Sequence, residues 1–127
     1  MIARYLPYVL NFKRPSGTSR GVMHTKETYF IVLERENKIG IGECGVLWGL
    51  SPDPKEQYEQ KLMEVCRDIN LGLEALLEGL EAFPSIRMGL MTAFDALNAE
   101  LPMHLYPSEF TSGSHGGLGP GIAINGL

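Results

Sequence analysis

The chain has 127 residues, 44% of them hydrophobic, which suits one domain with a single modest core. Fifteen acidic against eleven basic residues give a net charge of -4, the wrong sign for a phosphate backbone, and no run of Lys and Arg forms a local stripe, so nucleic acid is not an expected partner. No apolar stretch approaches the roughly 20 residues that a membrane span needs, and MIARYLPYVL carries neither a basic leader nor a small-residue cleavage site, so a cytoplasmic protein with no membrane partner is expected.

Ile2 to Phe12 is rich in Tyr, Val, Leu and Phe and reads as a strand, with Pro7 pointing to an edge position or a bulge. The segment FKRPSGTSRGV follows, mixing cations, hydroxyls, proline and glycine between two apolar runs. Its part from Pro15 to Met23 is longer than an ordinary hairpin needs, so it reads as a loop. Thr28 to Glu36 (TYFIVLERE) is a second strand, and Asn37-Lys38 makes a two-residue turn into a third, IGIGECG, where Ile39 and Ile41 alternate with glycines. Three strands in a row predict an antiparallel meander.

Beyond it the period becomes helical. Asp53-Pro54-Lys55-Glu56 predicts a helix start, with Asp53 as N-cap, Pro54 in the first turn and Glu56 closing a capping box. Tyr58, Leu62, Val65, Cys66 and Ile69 fall on one face of that helix, which should end near Asn70-Leu71-Gly72. Leu73 to Leu80 predicts a shorter helix weakened by Gly79. Ile86, Leu90, Ala93, Phe94, Leu97 and Leu101 trace a third that Pro102 stops. From Thr111 to Gly121 the chain is glycine-rich and reads as a linker. It leads into Ile122 to Leu127 (IAINGL), an apolar and strand-like end.

Few residues announce chemistry. Gly40 to Gly45 fits G-x-G-x-x-G, but Val46-Leu47-Trp48 follows where a phosphate site needs a helix N-terminus, so the glycines are read as places where a strand packs closely or bulges. Glu43, inside a strand, calls for a hydrogen-bonding or ionic partner. His24, His104 and His115 are isolated from any nucleophile or metal-spaced neighbour, and Cys44 and Cys66 read as free buried thiols. Trp48 either packs in the core or lines an adjoining pocket. Arg20 has two open readings, a solvated charge at a hairpin tip or a two-pronged contact with a carboxylate, with Thr18, Ser19 and backbone amides as further donors.

FKRPSGTSRGV, GIGECGVLWGLSPD, PSIRMGLMTAFDAL and GIAINGL, in that order, resemble the N-terminal capping domain of the enolase superfamily, of mandelate racemase and muconate lactonizing enzyme type, and within it the o-succinylbenzoate synthases of menaquinone biosynthesis. The resemblance implies an α+β fold, a three-stranded antiparallel meander followed by a three-helix bundle. It divides the chain into a capping domain over residues 1–110, a glycine-rich linker over 111–121, and the start of a truncated barrel domain over 122–127. It further implies that two loops reach a small anionic carboxylate substrate: Ser16, Gly17, Thr18, Ser19, Arg20, Gly21, Val22 and Met23 on the first, and Trp48, Gly49, Leu50 and Ser51 on the second. The family's acid/base lysines and magnesium carboxylates stand on later barrel strands. No catalytic residue and no metal ligand is therefore expected in this segment, its partner is a C-terminal (β/α) barrel, and alone it should be inactive and should self-associate through the surface the barrel would cover. Two alternatives stand beside this reading: a capping domain of a related racemase, epimerase or cycloisomerase, and a free-standing, non-enzymatic binding domain.

Overall fold

The computed structural model describes residues 1–100. The expected linker over 111–121, the barrel start over 122–127, the last residues of the 1–110 domain, and Leu101, Pro102, His104 and His115 lie outside the described residues. The expected α+β architecture holds: three antiparallel strands, β1 (Ile2–Thr18), β2 (Gly21–Arg35) and β3 (Lys38–Cys44), in spatial order β1-β2-β3, precede the helices.

The first two strands run further than the sequence pattern predicts. β1 pairs with β2 from Ile2↔Glu34 to Asn11↔Thr25, breaks register, and pairs again from Ser16↔Met23 to Thr18↔Gly21. Proline at position 15 cannot donate to a ladder, and the excess residues of β1 are absorbed in an irregularity beside it. The expected loop from Pro15 to Met23 is therefore the end of a long hairpin whose turn is only Ser19-Arg20. Thr18 shapes that tip, its hydroxyl accepting from Arg20 N (3.2 Å) and donating to Gly21 O (3.0 Å). Pro7 sits, as expected, on an edge strand, opposite Tyr29. The second turn is Glu36-Asn37, one residue earlier than Asn37-Lys38. Arg35 pairs with Lys38, and both turn residues are left-handed (φ 49° and 65°), the geometry that matches strand twist in a two-residue hairpin.

The helices cover one face of the sheet. Tyr29, Ile31 and Leu33 of β2 and Gly40, Gly42 and Cys44 of β3 point into them. The helices are α1 (Tyr58–Arg67), α2 (Leu73–Glu78) and α3 (Pro84–Asn98), with short 3-10 turns at Lys55–Gln57 and Ile69–Leu71. Tyr58, Leu62, Ile86, Leu90 and Leu97 join Ile31 and Leu33 in the core. α3 lies directly against β3 because the facing residues have no side chains: a Cβ on Gly42 would overlap the Gly89 carbonyl oxygen, one on Gly40 that of Ala93, and one on Gly89 the Cys44 sulfur. The first two glycines of G-x-G-x-x-G, Gly40 and Gly42, thus serve close packing, whereas Gly45 has room for a side chain. α3 ends at Asn98, with Ala99 already in an extended conformation (ψ 144°). Cys44 and Cys66 are free thiols, Cys44 buried and Cys66 only half-buried.

The predicted capping box does not form. The first helical turn begins at Lys55 with no side-chain cap, and Asp53 instead turns its carboxylate to Ser85, at the start of α3. Among the described residues no helix is long and apolar enough to cross a membrane.

Candidate functional site

β3 stops at Cys44, opposite Tyr29, while β2 continues back to Gly21. The edge of β2 from Thr28 backwards therefore has no β3 partner, and the chain leaving β3 folds over that open edge. Val46 is buried there, its N–H donating to Cys44 O (2.8 Å). Buried Thr28 has its hydroxyl 2.8 Å from Glu43 Oε1 and 3.2 Å from Cys44 O. Lys26 Nζ stands 3.5 Å from the same Glu43 oxygen, so the partner that Glu43 called for is a hydroxyl and an ammonium.

The next residues close a compact turn. Leu47 O accepts from Leu50 N (3.0 Å) and Ser51 N (2.7 Å), and Ser51 Oγ accepts from Leu47 N (2.8 Å). Gly49, at φ +89°, takes the left-handed position that other residues rarely adopt. Trp48 leans back on the protein: its ring meets Tyr58 edge to face at 5.0 Å, and its indole N–H donates to Glu27 Oε2 at 2.7 Å. Lys55 Nζ lies 5.5 Å from the centre of the same ring.

Between this turn and the open edge of β2 is a cavity of about 260 Å³, lined by Met23, Thr25, Lys26, Glu27, Val46, Leu47 and Trp48. The hairpin tip bends over to the same region, where the Arg20 guanidinium donates to the Gly49 carbonyl. Arg20 is thus tied to the second loop while remaining exposed.

Of the residues singled out in the sequence, the fold joins Arg20 to Gly49 and sets Met23 and Trp48 on one cavity. Thr18 and Ser51 hold their own turns together. Ser16, Gly17, Ser19, Gly21, Val22 and Leu50 do not line the cavity, and Val22 and Leu50 point to solvent. Thr25, Lys26, Glu27, Val46 and Leu47 were missed. The one signal for them in the sequence was the indole N–H of Trp48, which needs an acceptor when half-buried but does not say which.

Among the described residues the buried thiols and phenols are held in their neutral forms. Burial pushes the Cys44 thiol up to about 12 and the Cys66 thiol to about 11. Burial, with Glu59 adding to it, raises the Tyr29 phenol to about 12, and burial takes Tyr58 higher still. Among the described residues no three His, Cys, Asp or Glu side chains converge to hold a metal ion.

The α+β fold, a three-stranded antiparallel sheet followed by helices, resembles one part of larger solved enzymes. More narrowly, the resemblance is to o-succinylbenzoate synthases. The o-succinylbenzoate synthase of Thermosynechococcus elongatus BP-1, solved with Mg in its active site, superposes with TM-score 0.67 at 23% identity over 84% of this chain and 33% of its own. The Desulfotalea psychrophila LSv54 MenC structure superposes with TM-score 0.60 at 22% identity over 91% of this chain and 39% of its own. In sequence, an o-succinylbenzoate synthase of Desulfotalea psychrophila is 49% identical over 53 residues, 42% of this chain and 14% of that protein. The chain thus spans about a third to two fifths of the solved structures it matches. No protein-family model matches it.

Proposed function

We propose that this chain is the substrate-capping and specificity part of an o-succinylbenzoate synthase-like dehydratase of menaquinone biosynthesis, inactive alone. In this reading a (β/α) barrel, for which the described residues leave no room in the sequence they cover, supplies the proton-transferring groups and the carboxylates for magnesium. The observation that carries it is the Arg20 to Gly49 contact, which sets a guanidinium between two loops near a cavity whose lining includes both Lys26 and Glu27. A cationic fork at the rim suits a substrate bearing carboxylates, and the loops would orient it and keep water out. The likeness to o-succinylbenzoate synthases supports the substrate class. The described residues offer no magnesium site, and in this reading the ligands come from the barrel.

The test uses the chain alone and the chain joined to the barrel of the Desulfotalea psychrophila enzyme. Alone, with magnesium and the family's dicarboxylate cyclohexadiene substrate, it should give no turnover. Joined, it should turn over, and Arg20→Ala should raise KM about tenfold, the worth of one charge-assisted contact, with kcat little changed. Turnover by the chain alone would end this reading, and an unchanged KM would remove Arg20 from it.

A further inference from the structure

The Leu47–Ser51 turn is closed on itself by backbone bonds and the Ser51 hydroxyl, but little fixes it to the sheet. Two hydrogen bonds do so. One comes from the hairpin tip, Arg20 to Gly49, and both of its ends are on turns. The other is different in kind, since Glu27 belongs to a paired stretch of β2, opposite Val9, and its Oε2 accepts the Trp48 indole N–H at 2.7 Å.

We infer that Glu27 is a positioning residue, a carboxylate anchored on a strand that fixes the Trp48 ring and with it the turn that Arg20 reaches. The inference rests on reading the two loops as substrate-facing. Stacking on Tyr58 limits where the ring lies but leaves some freedom about its Cα–Cβ and Cβ–Cγ bonds, because an edge-to-face contact tolerates modest changes of tilt. A hydrogen bond from the single indole N–H removes the remaining freedom. The acceptor is ionic, which makes the bond short and strong, and Glu27 and Trp48 line the same cavity, so the ring's setting shapes the cavity wall. Glu27 is itself exposed, so it takes no part in the core and its loss should leave folding intact.

Trp48 is the chain's single tryptophan, so its emission reports on this turn alone. In the full 127-residue chain, Glu27→Ala should shift the emission to the red and increase quenching by acrylamide, with the urea midpoint unchanged. Glu27→Gln, whose amide oxygen still accepts the N–H, should restore both. A Glu27→Ala spectrum that overlays the unaltered one overturns the inference. So does a fall in the urea midpoint that Glu27→Gln fails to rescue, which would make the residue merely structural. In the barrel fusion Glu27→Ala should also raise KM. If the spectrum moves and KM does not, the tether stands and the substrate-facing reading of the loops fails instead.

Discussion

Asp53 Oδ1 accepts both the backbone N–H of Ser85 (3.0 Å) and its hydroxyl (2.6 Å), so a residue in the turn after the sheet caps α3 from across the molecule. Because the Ser85 hydroxyl gives its proton to the carboxylate, the Tyr58 hydroxyl, 2.6 Å from Ser85 Oγ, must be the donor in that contact. The chain Tyr58, Ser85, Asp53 therefore links α1, the start of α3 and the candidate loop in one direction of donation.

Asp53→Ala should lower stability by about 2 kcal/mol, the upper end for a lost cap with a charged acceptor. Asp53→Asn keeps an oxygen for Ser85 and should cost less. Urea unfolding of both variants checks this, and equal midpoints for the Ala variant and the unaltered chain would contradict it.

Gly42→Ala should be among the most damaging single-methyl changes, since its Cβ overlaps the Gly89 carbonyl and neither strand nor helix can yield locally. A loss of about 3 kcal/mol is expected for such overpacking. Gly17→Ala, with nothing within 4 Å of the added carbon, should be neutral. Comparing the two urea midpoints tests whether contact with the helix, rather than glycine content, explains the difference.

Stability should fall on the alkaline side. The thiols of Cys44 and Cys66 have folded values raised from 9.0 to about 12 and about 11, and the Tyr29 phenol from 10.0 to about 12. Each raised value means the fold favours the neutral acid. The stability this gives is complete below the ordinary values of 9.0 and 10.0 and is lost as pH rises through about 11 and about 12. Urea midpoints measured across that window should decline, and Tyr29→Phe should flatten the upper part of the decline. A midpoint constant to about pH 12 would contradict the buried phenol and thiols alike.

The sheet face away from the helices is apolar and open, with Ile2, Leu6, Tyr8, Ile39 and Ile41 each about half exposed or more. Arg4 pairs with Glu34 and Lys26 with Glu43 on the same sheet. A face bearing both signs can meet a second copy about a two-fold axis. The chain alone should therefore self-associate as its concentration rises, and Ile41→Glu should abolish this. Sedimentation as a monomer at high concentration would refute it.

The pattern of β-branched and aromatic runs was sufficient to place all three strands, and the apolar spacing of Leu62, Val65, Leu76, Ile86, Leu90 and Leu97 was sufficient to place the helices, because burial imposes those periods wherever a chain has one core. The glycines of β3 were legible as close-approach positions for the same reason. The capping box at Asp53 was misread because a carboxylate satisfies whichever helix N-terminus is nearest in space, and local sequence names only the nearest along the chain. The length of the first hairpin was misread because a register break beside Pro15 looks, in one dimension, like the beginning of a loop. What tertiary structure alone decided was the meeting of Arg20 with Gly49 and of Glu27 with Trp48. Those contacts depend on β3 ending before β2 does, a consequence of how strands pair that no periodicity in either segment records.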